Sequence, residues 1–119
     1  MNVPGLDEVI HATPRLRACA FLATVDRAEF GAVRDILGVS DSVTSKHIKV
    51  LSDAGYVLIT KPMGLGRVRT WLELTPTGRR AYRNHLAALE SIVAASAPEV
   101  LLSRGDRLET EPGLSPEAL

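Results

Sequence analysis

Five residues in one short stretch, Ser42, Val43, Ser45, Lys46 and Lys49, carry side chains suited to reading a polar, negatively charged surface. The serine hydroxyls both donate and accept hydrogen bonds, and each lysine brings a strongly hydrated point charge on a flexible stem. A second basic group follows: Lys61, then Arg67 and Arg69, set around Gly64 and Gly66. Phosphates and base edges are among the surfaces such groups can meet. Lysine reaches a guanine edge or a phosphate, serine either one, and an apolar side chain such as Val43 the methyl group of thymine.

Other chemistries find less support. The chain has no nucleophile elbow, no glycine-rich phosphate loop, no paired carboxylates and no metal-ligand motif, so neither an enzyme nor a cofactor is expected. His11 and His85 lack a cysteine or carboxylate at ligand spacing, and His47, beside Ile48, reads as a half-buried packing residue rather than a ligand. Cys19, the one cysteine, lies among apolar neighbours; it reads as an inert buried thiol rather than a redox sensor, and it excludes an internal disulfide.

The elements that must position the basic groups follow from periodicity. Leu6, Val9 and Ile10 predict a short helix ending near Ala12. Thr13-Pro14 predicts the N-cap and first residue of a second helix reaching Thr24, with Leu16, Ala20 and Ala23 on one stripe that Phe21 and Leu22 widen into a well-buried face. Ala28-Glu29-Phe30 is long enough only to pair at a sheet edge. A third helix, Gly31 to Leu37, turns Val33, Ile36 and Leu37 inward and ends at Gly38. Ser40 caps a fourth helix running to about Ala54, with Asp41 complementing its positive end. Ile48, Leu51 and Ala54, with Thr44 a turn earlier, form its inner face and leave the first group of five outward.

The period then changes to that of strands. Residues 56–61 and 68–74 are β-prone and flank a turn-rich segment, which predicts a hairpin carrying the second basic group at its tip. Thr70, Leu72 and Leu74 face inward; Arg69, Trp71 and Glu73 face outward, with Trp71 packing on the hairpin rather than stacking on a base. A last helix from Thr75-Pro76 to about Ala95 or Ala97 repeats apolar residues at Tyr82, Leu86, Leu89 and Ile92 before Pro98. That stripe is too apolar to stand alone; burial against a partner is favoured over packing on the chain's own first helix.

Composition bounds the rest. The 119 residues are 45% hydrophobic but only 4% aromatic, so the core must be aliphatic and the chain mostly helical. No apolar run approaches the ~20 residues of a membrane span, and no signal peptide is apparent, so a cytoplasmic protein is expected. Equal numbers of acids and bases hide an asymmetry. Residues 40–83 carry Lys46, Lys49, Lys61, Arg67, Arg69, Arg79, Arg80 and Arg83 against Asp41, Asp53 and Glu73. Residues 98–119 carry five acids against two arginines, and read as a mobile acidic tail following a single domain over 1–97. On charge alone, nucleic-acid binding and a solvated surface fit the basic segment equally. Arg79, Arg80 and Arg83 fit phosphate contact, a solvated face or a dimer rim.

Two helices joined by Gly38-Val39-Ser40 form a helix-turn-helix, whose second helix enters the DNA major groove. Asp41 to Val57, with its Ser45-Lys46-His47-Ile48 run, and Arg69 to Arg79, with Leu74-Thr75-Pro76-Thr77-Gly78, resemble the winged-helix domain of bacterial regulators related to the MarR and ArsR groups. The likeness is nearest to their short stand-alone members and covers roughly residues 6–95. It implies a mainly α fold with a small β-hairpin wing, a homodimer built from the N-terminal and last helices, and transcription regulation through double-stranded DNA. Thr44 departs from the pattern, which usually has a larger aliphatic residue there; either packing weakens slightly or Val43 compensates. The alternative from another class is a winged helix serving as a protein-interaction module without DNA binding.

Overall fold

A computed structural model describes residues 5–62 and 69–96. Five helices, α1 (Glu8–His11), α2 (Thr13–Leu22), α3 (Phe30–Leu37), α4 (Asp41–Asp53) and α5 (Pro76–Ser96), accompany a small sheet. Its strands β1 (Ala28–Glu29), β2 (Val57–Thr60) and β3 (Trp71–Leu74) are antiparallel in the order β1-β3-β2. The fold is a winged helix-turn-helix, mainly helical as expected. Residues 98–119 and the wing tip, Arg67 included, lie outside the described residues.

An aliphatic cluster holds the elements together. Ile10, Ala18, Cys19, Leu22, Val33, Leu37, Ile48, Leu51, Val57, Leu72 and Leu74 are buried in it. Each buried Leu, Ile or Val side chain contributes about 1.5–3 kcal/mol, which substitutes for the missing aromatics. The sheet's register, Val57 opposite Leu74 and Ile59 opposite Leu72, keeps alternate side chains on the core face. The edge strand is short, but Phe30 extends its pairing by donating its N–H to the Thr70 carbonyl at 2.9 Å.

Several inward faces are rotated from those expected. In α2, Leu22 and Cys19 are fully buried as expected, joined by Ala18, whereas the stripe of Leu16, Ala20 and Ala23 is only half-buried. Ala12, not Thr13, occupies the N-cap, with no side-chain cap, so the proline alone marks the start. Ile36 is 39% exposed on α3. Helix α5 buries Gly78, His85 and Ala88, leaving Tyr82 and Leu86 half-buried.

Gly78 explains the phase of α5. A Cβ on it would lie 2.2 Å from the Tyr56 carbonyl oxygen, so only glycine lets the helix start that close to the α4–β2 turn. Thr75 completes the junction. Its hydroxyl accepts from the Gly78 N–H at 2.9 Å and donates to the Gly55 carbonyl at 2.7 Å. The Leu-Thr-Pro-x-Gly run thus encodes a core residue, an N-cap, a helix start and a close approach.

Asp7 ties three elements at the N-terminus. Its Oδ1 caps α1 by accepting from the Val9 and Ile10 N–H groups, and its Oδ2 accepts from the Tyr56 hydroxyl. That hydrogen bond pushes the Tyr56 phenol up to about 12. The Asp7 N–H donates to Nδ1 of buried His85 at 3.0 Å, which assigns the imidazole proton to Nε2. Nε2 is buried and has no hydrogen-bond partner among the described residues. Burial, then the neighbouring His11, lowers the His85 pKa. The sequence offered no sign of this role.

The chain divides into two compact units between Ala88 and Leu89. In the second, the described residues are the last two turns of α5, where Val93 is 67% exposed. No helix among the described residues is long and apolar enough to cross a membrane.

Candidate nucleic-acid interface

The turn between α3 and α4 is built by two residues. Gly38 adopts φ 69°, the left-handed conformation that ends α3, and its N–H returns to the Arg34 carbonyl. Ser40 then caps α4 by accepting from the Val43 N–H at 3.2 Å. Thr44 is fully buried, and its hydroxyl donates to the Ser40 carbonyl at 2.8 Å. The departure at Thr44 therefore leaves no unsatisfied hydroxyl. Val43, 37% exposed, does not fill the core in its place.

With Thr44, Ile48 and Leu51 buried, α4 presents Ser42, Val43, Ser45, Lys46 and Lys49 on its exposed surface. Ser45 and Lys49 join Lys61 of the wing in lining one cleft of about 490 Å³, floored by Phe30, Ile48, Ile59 and Leu72. Asp41 also lines it. Ser42, Val43 and Lys46 lie outside that cleft. Arg69 lines a separate hollow with Glu29, Phe30 and Gly31.

Charge on this surface is partly paired. Lys49 donates to Asp53 one turn on at 3.1 Å, and Arg69 meets Glu29 of β1 at 3.0 Å. Arg34, which the sequence did not single out, bridges Asp41 at 2.9 Å and Asp35 at 3.2 Å. These carboxylates raise its pKa, the Asp41 hydrogen bond foremost. Lys46 and Lys61 form no ion pair among the described residues.

Two other arginines support the surface from behind. Arg15 donates from Nε to the Val9 carbonyl and from a terminal nitrogen to His47 Nδ1 at 3.2 Å. His47 is accordingly half-buried, and desolvation together with the Arg15 charge lowers its pKa. Arg79 donates to the Ala23 and Val25 carbonyls at 3.3 and 3.0 Å, capping the end of α2. Its role is structural, which spacing alone left open. Trp71 packs under the Arg27 guanidinium, 4.4 Å from its ring centroid. Cys19 is fully buried, and burial pushes its thiol up to about 12, the state of an unreactive thiol. No group of three His, Cys, Asp or Glu side chains among the described residues could hold a metal ion.

A capped recognition-type helix behind a left-handed glycine turn, beside a three-stranded wing, defines the winged helix-turn-helix class. Residues 15–93 match the family model of the winged helix DNA-binding domain, and the chain belongs to that family. It is 28% identical over 79 residues to an uncharacterized protein of Methanocaldococcus jannaschii, covering 66% of this chain and 86% of that one. Among solved structures it is similar to a transcriptional regulator homologue from Pyrococcus horikoshii OT3, with TM-score 0.69 and 25% identity over 75% of this chain and 88% of that chain. It shares its fold with a MarR family transcriptional regulator from Silicibacter pomeroyi, with TM-score 0.56 and 19% identity over 82% of this chain and 67% of that chain. Family and neighbours support a DNA-binding regulator, and the Methanocaldococcus jannaschii relative is archaeal rather than bacterial.

Proposed function

We propose that the protein is a sequence-specific regulator of transcription that binds double-stranded DNA as a homodimer. In this reading α4 enters the major groove. Ser42, Val43, Ser45, Lys46 and Lys49 approach bases and flanking phosphates, and Lys61, Arg67 and Arg69 of the wing follow the backbone or minor groove. The observation that carries it is the exposed polar and basic surface of α4, sharing a cleft with Lys61. The dimer rests on the resemblance and on the exposed apolar end of α5; it predicts a near-palindromic site with half-sites about 10–10.5 bp apart or a multiple of that.

Fragmented genomic DNA, probed by gel shift across a salt series, tests the reading. A few fragments should be retained, with affinity falling as salt rises. Lys46→Ala should cost about 1–3 kcal/mol of preference for those fragments over random DNA, the range of a base contact. Arg67→Ala should weaken both kinds of DNA alike, as loss of a phosphate contact does. Equal behaviour of the two variants would remove the division of roles. No binding at low salt would remove the DNA-binding reading and favour a protein-interaction module.

A further inference from the structure

On the surface assigned above to DNA, three cations are already held by carboxylates: Arg69 by Glu29, Lys49 by Asp53, and Arg34 by Asp41 and Asp35. We infer that these carboxylates are specificity determinants, which suppress non-specific DNA binding by occupying the cations a duplex would otherwise engage, and that Arg34 is a further DNA-contacting residue released only when its carboxylates yield. The inference rests on the proposed DNA-binding role.

Ion balance gives the mechanism. An unpaired lysine or arginine that meets a phosphate releases a condensed counterion, giving a slope of log K against log salt of about −0.9 per contact. A paired cation behaves differently. When it turns to a phosphate, its carboxylate is left bare beside a polyanion and must recruit a cation from solution. That uptake offsets the release, so the contact adds little affinity on DNA of arbitrary sequence.

On the correct sequence the displaced carboxylate can find a donor of its own. Asp41 stands at the first position of α4, where recognition helices meet base edges, and a carboxylate accepts a hydrogen bond from the cytosine amino group. The exchange is then compensated on the right site and uncompensated elsewhere. The geometry suits a reversible exchange. All four pairs are solvent-exposed, the Lys49 and Asp53 side chains by 75% and 65%. Exposed pairs are weak enough to be displaced by DNA.

The experiment measures binding of the full chain to a short random-sequence duplex by fluorescence anisotropy across a salt series. The variants are Asp53→Asn, Glu29→Gln and the double variant Asp35→Asn/Asp41→Asn. Glu90→Gln, on the exposed surface of α5, makes the same change in net charge as each single variant without freeing one of these cations. Circular dichroism confirms folding. Each test variant should steepen the slope by about 0.9. At low salt each should bind about 1.4- to 5-fold tighter, the fold-change matching the strength of an exposed pair. Adding Lys49→Gln to Asp53→Asn should return the slope to the wild-type value. Test variants that match wild type or Glu90→Gln, with wild type itself binding DNA, would overturn the inference alone. A wild-type chain that binds no duplex overturns the proposed function, and the inference falls with it.

Discussion

His85 shows how a single side chain couples the fold to pH. Its Nδ1 accepts the Asp7 N–H, a role open only to an imidazole with Nδ1 unprotonated. Protonation would place a second hydrogen where that bond is accepted and bury a charge. The folded-state pKa is therefore depressed below the ordinary value of 6.5. Asp7, Glu8 and His11 are the charged or titratable groups acting on it, the carboxylates opposing the downward shift and His11 adding to it. A depressed histidine pKa means the unfolded chain binds the proton first. The stabilisation is complete above pH 6.5 and is lost as pH falls from there through the folded-state pKa. His85→Gln removes the titration and keeps an acceptor. Urea denaturation at stepped pH should show wild-type stability falling below pH 6.5 more steeply than that of the variant; parallel curves would exclude His85 as the cause.

At the scale of elements, junctions matter more than the helices they join. The α4–β2 turn meets the start of α5 so closely that Gly78→Ala must move the Tyr56 backbone, not merely a side chain. Overpacking of this kind costs about 3 kcal/mol. Gly31→Ala offers the contrast: its nearest neighbour is the flexible end of Arg34 at 3.5 Å, and it should gain about 0.5–1 kcal/mol from helix propensity. Thermal denaturation of both variants gives opposite signs if the junction argument holds. The same distinction governs what could be read from the sequence. Gly38, Ser40 and Gly55 mark helix ends through local rules, so α3, α4 and the turn between them were legible, as was the alternation of Leu72 and Leu74. The faces of α2 and α5 were not. The face of α5 is fixed by distant contacts, Tyr56 on Gly78 and Asp7 on His85, which no local period encodes. The candidate interface divides likewise. Exposure of Lys46 and Ser42 follows from helical period, whereas the capture of Arg34 by Asp41 crosses the turn and of Arg69 by Glu29 crosses two strands.

For the whole molecule, zero net charge makes distribution rather than total charge the source of any attraction to DNA. A single protomer with one recognition helix offers few phosphate contacts, so in the proposed reading affinity must come from two protomers acting on one duplex. Linking two half-sites through a dimer makes the second binding event intramolecular, which raises affinity without new contacts. Helix α5 is the element to test, because its final turns leave Val93 67% exposed, the most exposed large apolar side chain among the described residues. Val93→Glu places a charge on that face, where burial without a counter-charge is costly. Analytical ultracentrifugation should show its dimer dissociation constant raised at least ~10-fold, equivalent to about 1.4 kcal/mol. The variant should lose affinity for a palindromic fragment and keep that for a single half-site, since α4 and the wing are untouched. If sedimentation were unchanged, the end of α5 would not be the dimer contact; if half-site binding fell as well, the substitution would be acting on the DNA-binding body rather than on assembly.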